Sequence, residues 1–176
     1  MDERHLLILG LVKEQRQHGY QINEFIQKNL SNLTQMKKAT AYVILDRLEE
    51  AGYVRSETEQ QGNRPPRKVY EVTPEGRERF IELLRENLLR ADRILMGGDV
   101  GLMFLDELPR AEVVRHLESR LEDRERQIAE IEKAPEYPGV LGPPLAIEHL
   151  LALNRADRDW LRTTIERLRS EVEGDG

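Results

Sequence analysis

At 176 residues the chain holds one or two small domains and is too short for a large enzyme. A net charge of −6, taken in bulk, argues against a protein that grips nucleic acid, because such domains are usually basic. The absence of cysteine excludes disulfides, zinc–thiolate sites and cysteine nucleophiles, and fits a cytoplasmic protein.

The apolar run Leu6–Val12 is interrupted by Gly10 and followed by Lys13-Glu14. It is shorter than the roughly 20 apolar residues that a membrane span needs. It also lacks the basic start and small-residue cleavage site of a signal peptide. No membrane partner is expected.

Residues 3–16 predict a helix that is apolar nearly all round, and therefore buried. Gln17-His18-Gly19 predicts a break. A second helix starts at Tyr20, with Ile22, Phe25, Ile26 and Leu30 near helical spacing. A third spans about 38–51, and Gly52 stands where a C-terminal glycine belongs. The period then changes. Residues 54–59 and the alternating 68–72 predict two strands around a Gly/Pro turn at 60–66. Thr73-Pro74 supplies an N-cap and a first-turn proline for a fourth helix to about Met96. Gly97–Gly101 interrupts it. Pro109 opens a long charged helix to about Lys133. Residues 134–144 hold four of the eight prolines and predict a connecting loop. A last helix runs from about Leu145 to Val172.

Three helices and a β-hairpin within about 70 residues describe the winged form of the helix-turn-helix. The expected fold is mainly α with a small β-hairpin. Residues 1–76 form a winged-helix DNA-binding domain. Residues 77–176 form a long-helix region for dimerisation and effector binding.

On the third helix, Ala41, Ile44, Leu45 and Leu48 share one side and should pack inward. Ala39, Val43, Asp46 and Glu50 point outward, flanked by Thr40, Tyr42 and Arg47. A helix in the major groove reads with its N-terminal residues. Lys37 and Lys38 suit phosphates, Thr40 and Tyr42 suit phosphates or base edges, and Ala39 and Val43 suit thymine methyls. Arg47 completes the set. The tip Gly62–Lys68 carries three cations and no acid. Arg64 suits a narrow minor groove, with Asn63 beside it, and Arg67 and Lys68 suit phosphates. Residues 25–45 and 60–70 each hold three cations and no acid, so the excess acid lies elsewhere, with −7 after residue 80.

These stretches together resemble the PadR family of bacterial transcriptional regulators. The resemblance runs through Leu6–Val12, Gly19-Tyr20-Gln21-Ile22, Ala39-Thr40-Ala41-Tyr42, Leu45–Val54 and Gly62–Gly76. It covers about residues 5–80. It implies a homodimeric repressor on an inverted-repeat operator, often released by a small molecule. The chain departs from the family's usual Gly-Thr-Leu-Tyr-Pro, carrying Ala39-Thr40-Ala41-Tyr42-Val43. It also has Lys37 where a small polar residue is usual.

In the last helix, Leu161, Ile165, Leu168 and Val172 make a coiled-coil-like seam, widened upstream by Leu150 and Leu153. The seam suits a dimer interface, or packing within the chain against Val113, Leu117, Leu121, Ile128 and Ile131. Trp160, one residue from the seam, reads either as packing or as part of a pocket for a small aromatic effector with Met96, Met103 and Phe104. The four histidines are dispersed; Glu112–His116 is one pair and not a metal site. No catalytic motif or cofactor fingerprint is present, so an enzyme is not expected. Two other readings share these residues. One is a winged-helix module for protein partners, and the other a small-molecule sensor without specific DNA binding.

Overall fold

A computed structural model describes residues 1–14, 17–29, 36–60, 66–91 and 98–174. The chain divides into two compact units, Met1–Arg93 and Ile94–Gly176.

In the first unit, α1 (Glu3–Glu14), α2 (Gly19–Asn29) and α3 (Lys38–Glu50) precede a hairpin of β2 (Val54–Glu59) and β3 (Arg67–Val72). The hairpin is antiparallel, with Val54 opposite Val72 and Glu59 opposite Arg67. The predicted break at Gln17-His18 is instead a short strand, β1, pairing with Tyr70 and Val69. The sheet order is therefore β1-β3-β2, with β3 in the middle. Two residues are too few to carry a period, so the pairing is set by β3 alone.

The core is built from the predicted faces. Ile8, Leu9 and Val12 of α1 meet Ile22 and Ile26 of α2 and the inward side of α3. On α3, Ala41, Ile44, Leu45 and Leu48 are buried, as the wheel predicts. Tyr70, Val72 and Val54 close the core from the sheet.

One corner joins α3, the hairpin and the next helix. α3 ends with Gly52 at φ +75°, a left-handed conformation that glycine adopts without a side-chain clash. The Tyr53 amide reaches the Leu48 carbonyl (2.9 Å) and the Gly52 amide that of Glu49 (3.0 Å), closing the helix as a Schellman motif. Thr73 then acts three times. Its amide donates to the Tyr53 carbonyl (3.0 Å), its hydroxyl donates to the Gly52 carbonyl (2.7 Å), and the same oxygen accepts from the Gly76 amide (3.0 Å). This caps α4 (Pro74–Leu88). A Cβ on Gly76 would stand 1.9 Å from the Tyr53 oxygen.

The compact unit continues past residue 76 because α4 packs on α1, with Leu83 in the core and Phe80 against it. α4 ends at Leu88, eight residues short of the Met96 expected. Beyond Leu83 none of its side chains is buried, so packing does not reward a further turn.

In the second unit, α5 (Asp99–Leu102) and a 3₁₀ turn (Leu105–Glu107) lead to α6 (Arg110–Ile131) and α7 (Gly142–Gly174). α7 starts three residues before Leu145. Pro143 and Pro144 occupy its first turn, where a missing N–H leaves no intrahelical bond unmade. α6 and α7 pack antiparallel. Val113, Val114 and Leu117 meet Leu161, Ile165 and Leu168. Beside this seam runs a ladder of ion pairs at heptad steps: Glu118–Arg169, Glu125–Arg162 (2.5 Å) and Glu132–Arg155 (2.7 Å). Buried Asp157 accepts from both Arg120 (3.1 Å) and Arg124 (2.8 Å), and Arg124 also donates to Asn154 (2.7 Å).

Two substitutions test these joints by thermal or urea unfolding. Gly76→Ala must displace the Tyr53 backbone and should cost about 1–3 kcal/mol. Asp157→Ala leaves two guanidinium groups without their shared carboxylate and should cost about 3 kcal/mol.

Candidate nucleic-acid interface

α3 presents the predicted N-terminal surface. Lys37 is its N-cap residue and makes no side-chain cap bond. Lys37, Lys38, Ala39 and Arg47 are exposed, and Val43 is 48% exposed although apolar. Thr40 and Tyr42 are half-buried, between the core and the outer face. An apolar side chain left in water at the reading end of a helix is the arrangement a thymine methyl would complement.

Of the wing residues, Asn63 and Arg64 lie outside the described residues. Arg67 and Lys68 begin β3 and are exposed, but each has a partner. Arg67 stands opposite Glu59 in the ladder, and its guanidinium carbon lies 4.9 Å from the centre of the Tyr20 ring. Lys68 Nζ donates to Glu49 Oε2 at 3.0 Å, and Ser56 Oγ donates to Glu49 Oε1 at 2.5 Å. The Ser56 hydrogen bond, followed by Lys68, holds the Glu49 carboxyl below its ordinary pKa. Glu49 in turn raises the Lys68 ammonium. A phosphate would have to compete with that pair for Lys68. Sequence reasoning missed Glu49 because it is one of two adjacent acids at the helix end, and only the fold turns it toward the hairpin.

Between the start of α2, α3 and β3 lies a cleft of about 530 Å³. Tyr20, Tyr42 and Tyr70 form aromatic walls, Arg67 and Lys68 stand on one side, and Asp46 is the acid on its lining. Burial raises the Tyr70 phenol, so it stays protonated and can donate a hydrogen bond at neutral pH.

The residues expected to bind an effector are not gathered into one described cavity. Trp160 is 43% exposed on α7, and the Arg120 guanidinium lies 6.0 Å from its ring centre. Met103 and Phe104 are exposed after α5, and Met96 lies outside the described residues. A cleft of about 520 Å³ occurs instead at the α6–α7 turn, lined by Ile131, Tyr137, Ile147 and Leu151 among others; Trp160, Met103 and Phe104 are absent from its lining. Of the two packings expected for the seam, the one within the chain is seen. Leu161, Ile165 and Leu168 are buried within the chain, because α6 covers them. Leu150 and Leu153 are half-buried, and the Val172 side chain lies outside the described residues. His116 pairs with Glu112 at 3.5 Å, and among the described residues no group of three metal-ligating side chains occurs. Among the same residues no helix is long and apolar enough to cross a membrane.

Residues 8–82 match the Transcriptional regulator PadR-like family, and residues 100–169 match the Virulence activator alpha C-term family. A Lysinibacillus sphaericus protein is 31% identical over 80 residues, 46% of this chain and 73% of its own length. The chain belongs to the PadR-like family of transcriptional regulators. PadR-like regulators bind DNA and are not enzymes. The negative transcriptional regulator PadR of Bacillus subtilis is 21% identical over 154 residues, 85% of each chain. Its crystal structure with operator DNA superposes with a TM-score of 0.77 at 22% identity, covering 93% of this chain and 98% of that one. Its structure with p-coumaric acid gives 0.74 at 20% identity, covering 93% and 97%. At such identities the likeness is one of fold. That likeness of fold spans nearly the whole chain.

The two lysines should differ in a salt titration of DNA binding. Lys38→Ala should flatten the slope of log affinity against log salt by about 1. Lys68→Ala should flatten it by clearly less, because Glu49 already neutralises that ammonium. Equal flattening would contradict the assignment.

Proposed function

We propose that this PadR-like regulator is a homodimeric repressor that binds an inverted-repeat operator and is released by a small aromatic effector. The observation that carries the reading is the exposed N-terminal surface of α3 beside the cationic start of β3. Lys37, Lys38, Ala39, Thr40, Tyr42, Val43 and Arg47 would face the major groove. Asn63, Arg64, Arg67 and Lys68 would follow the backbone and the minor groove. Residues 1–76 would supply this surface, and residues 77–176 the dimer and effector functions. The work would be done in the cytoplasm, where the operator is.

Dimerisation is supported by apolar side chains that each unit leaves in water. Leu88 and Leu89 end α4 at 75% and 86% exposure, and Val100 in α5 and Met103 and Phe104 just after it are exposed. A monomer gains nothing from such exposure, whereas a second copy would bury it. Two copies also read two half-sites, which gives the specificity that one winged helix lacks. The aromatic-effector reading is supported by the Trp160 ring, exposed beneath the Arg120 guanidinium, and by the B. subtilis relative's structure with p-coumaric acid.

A gel shift with the protein's own upstream region tests the repressor reading. The shifted band should survive excess random duplex. Competition at parity would exclude a specific operator there. Titration of p-coumaric acid and other aromatic compounds should change Trp160 fluorescence and release the duplex. A flat response across the panel would leave Trp160 a packing residue.

A further inference from the structure

We infer that Glu49 is a positioning residue for DNA recognition: it ties the recognition helix to both strands of the wing and so sets the angle at which the two meet the duplex. The inference rests on DNA contact through α3 and the hairpin.

Glu49 lies in the last turn of α3 and is half-buried. One carboxylate oxygen accepts from Ser56 on β2, the other from Lys68 on β3. In the ladder, Ser56 stands opposite Tyr70 and Lys68 opposite Thr58. Side chains two apart on a strand share a face, so Ser56 and Lys68 lie on one face of the hairpin, two rungs apart. A single carboxylate spans both.

The hairpin is held at its root by the Thr73 hydroxyl on the Gly52 carbonyl. Burial of Val54, Tyr70 and Val72 and the pairing of β1 with Val69 and Tyr70 hold its inner rungs on the core. Glu49 adds a direct polar bond from α3 to each strand, the one to Lys68 lying farther toward the tip. A bond beyond the packed rungs narrows the directions the outer hairpin can take. Recognition that needs α3 and the wing at once gains when their angle is set before binding, because less freedom is lost on docking.

Simple electrostatics predicts the opposite sign for this residue. An acid on a DNA-facing module repels phosphate, and removing it should tighten binding to any duplex. Positioning predicts that removal weakens the chosen sequence, while freed Lys68 helps random DNA.

The test compares wild type, Glu49→Ala, Glu49→Gln and Ser56→Ala in the full chain. The probes are a duplex selected by the wild type from a random-sequence pool and an unselected duplex of equal length. Glu49→Ala should lose roughly tenfold in affinity for the selected duplex, as expected for a lost charge-assisted hydrogen bond. Its affinity for the unselected duplex should hold or rise, with a salt slope steeper by about 1 as Lys68 is released. Glu49→Gln keeps an acceptor and should recover most of the selectivity. Ser56→Ala, which alters no charge, should lose part of it. In the DNA-free protein, amide exchange of Ser56–Glu59 and Arg67–Val69 should quicken in Glu49→Ala while the α6 and α7 amides are unchanged. Selected-duplex affinity in Glu49→Ala equal to or above wild type would overturn the inference, as would unchanged hairpin exchange. Should the wild type select no sequence, the specific-operator reading fails, and the exchange measurement still decides the attachment.

Discussion

The Thr73 hydroxyl on the Gly52 carbonyl is the contact on which the rest of the first unit depends. It sits where three chain directions change: the recognition helix stops, the hairpin begins and returns, and α4 starts. Each change leaves backbone groups without partners in a regular helix or ladder. The corner pairs them with one another. Gly52 supplies the left-handed turn, Gly76 the close approach to Tyr53, and Thr73 both a donor and an acceptor. The point at which the hairpin leaves α3 follows from these hydrogen bonds.

The second unit uses a different device. α6 and α7 hold together through a narrow apolar seam, and a seam alone permits slipping by a heptad. Charges resolve that ambiguity. The three Glu–Arg pairs stand at matching seven-residue steps, and Asp157 lies between two arginines on the facing helix. The exposed pairs add little stability each, about 0–1 kcal/mol. Two of the three would re-form after a heptad slip, so register is held by Asp157, which such a slip would set apart from Arg120 and Arg124. The strongly charged composition is thus partly a record of helix alignment.

That pattern also explains how an acidic protein belongs to a DNA-binding family. The cations proposed to meet the duplex lie on and around α3 and the hairpin, while Glu118 and Glu125 of α6, and Glu132 just after it, are engaged with arginines of α7. At the wing, Glu49 of α3 and Glu59 of β2 stand against Lys68 and Arg67, so the local field is moderated where the duplex would meet it. Specific contacts then matter more than bulk attraction.

The inward face of α3, the Gly52 stop, the Thr73-Pro74 start and the two strands of the hairpin were all legible in the residues, because each depends on local period or on one residue's backbone chemistry. So was the seam of α7. What covers the seam was not legible, since an apolar stripe looks the same whether its partner lies in the same chain or another. The early end of α4, the pairing of β1 and the three-way bond of Glu49 were also hidden. Each is decided by residues far along the chain: α1 for α4, Tyr70 and Val69 for β1, and Ser56 and Lys68 for Glu49. The sequence by itself determined the elements and their family; tertiary structure decided which charges are free to meet DNA, because only packing brings an acid from one helix onto a cation of the wing.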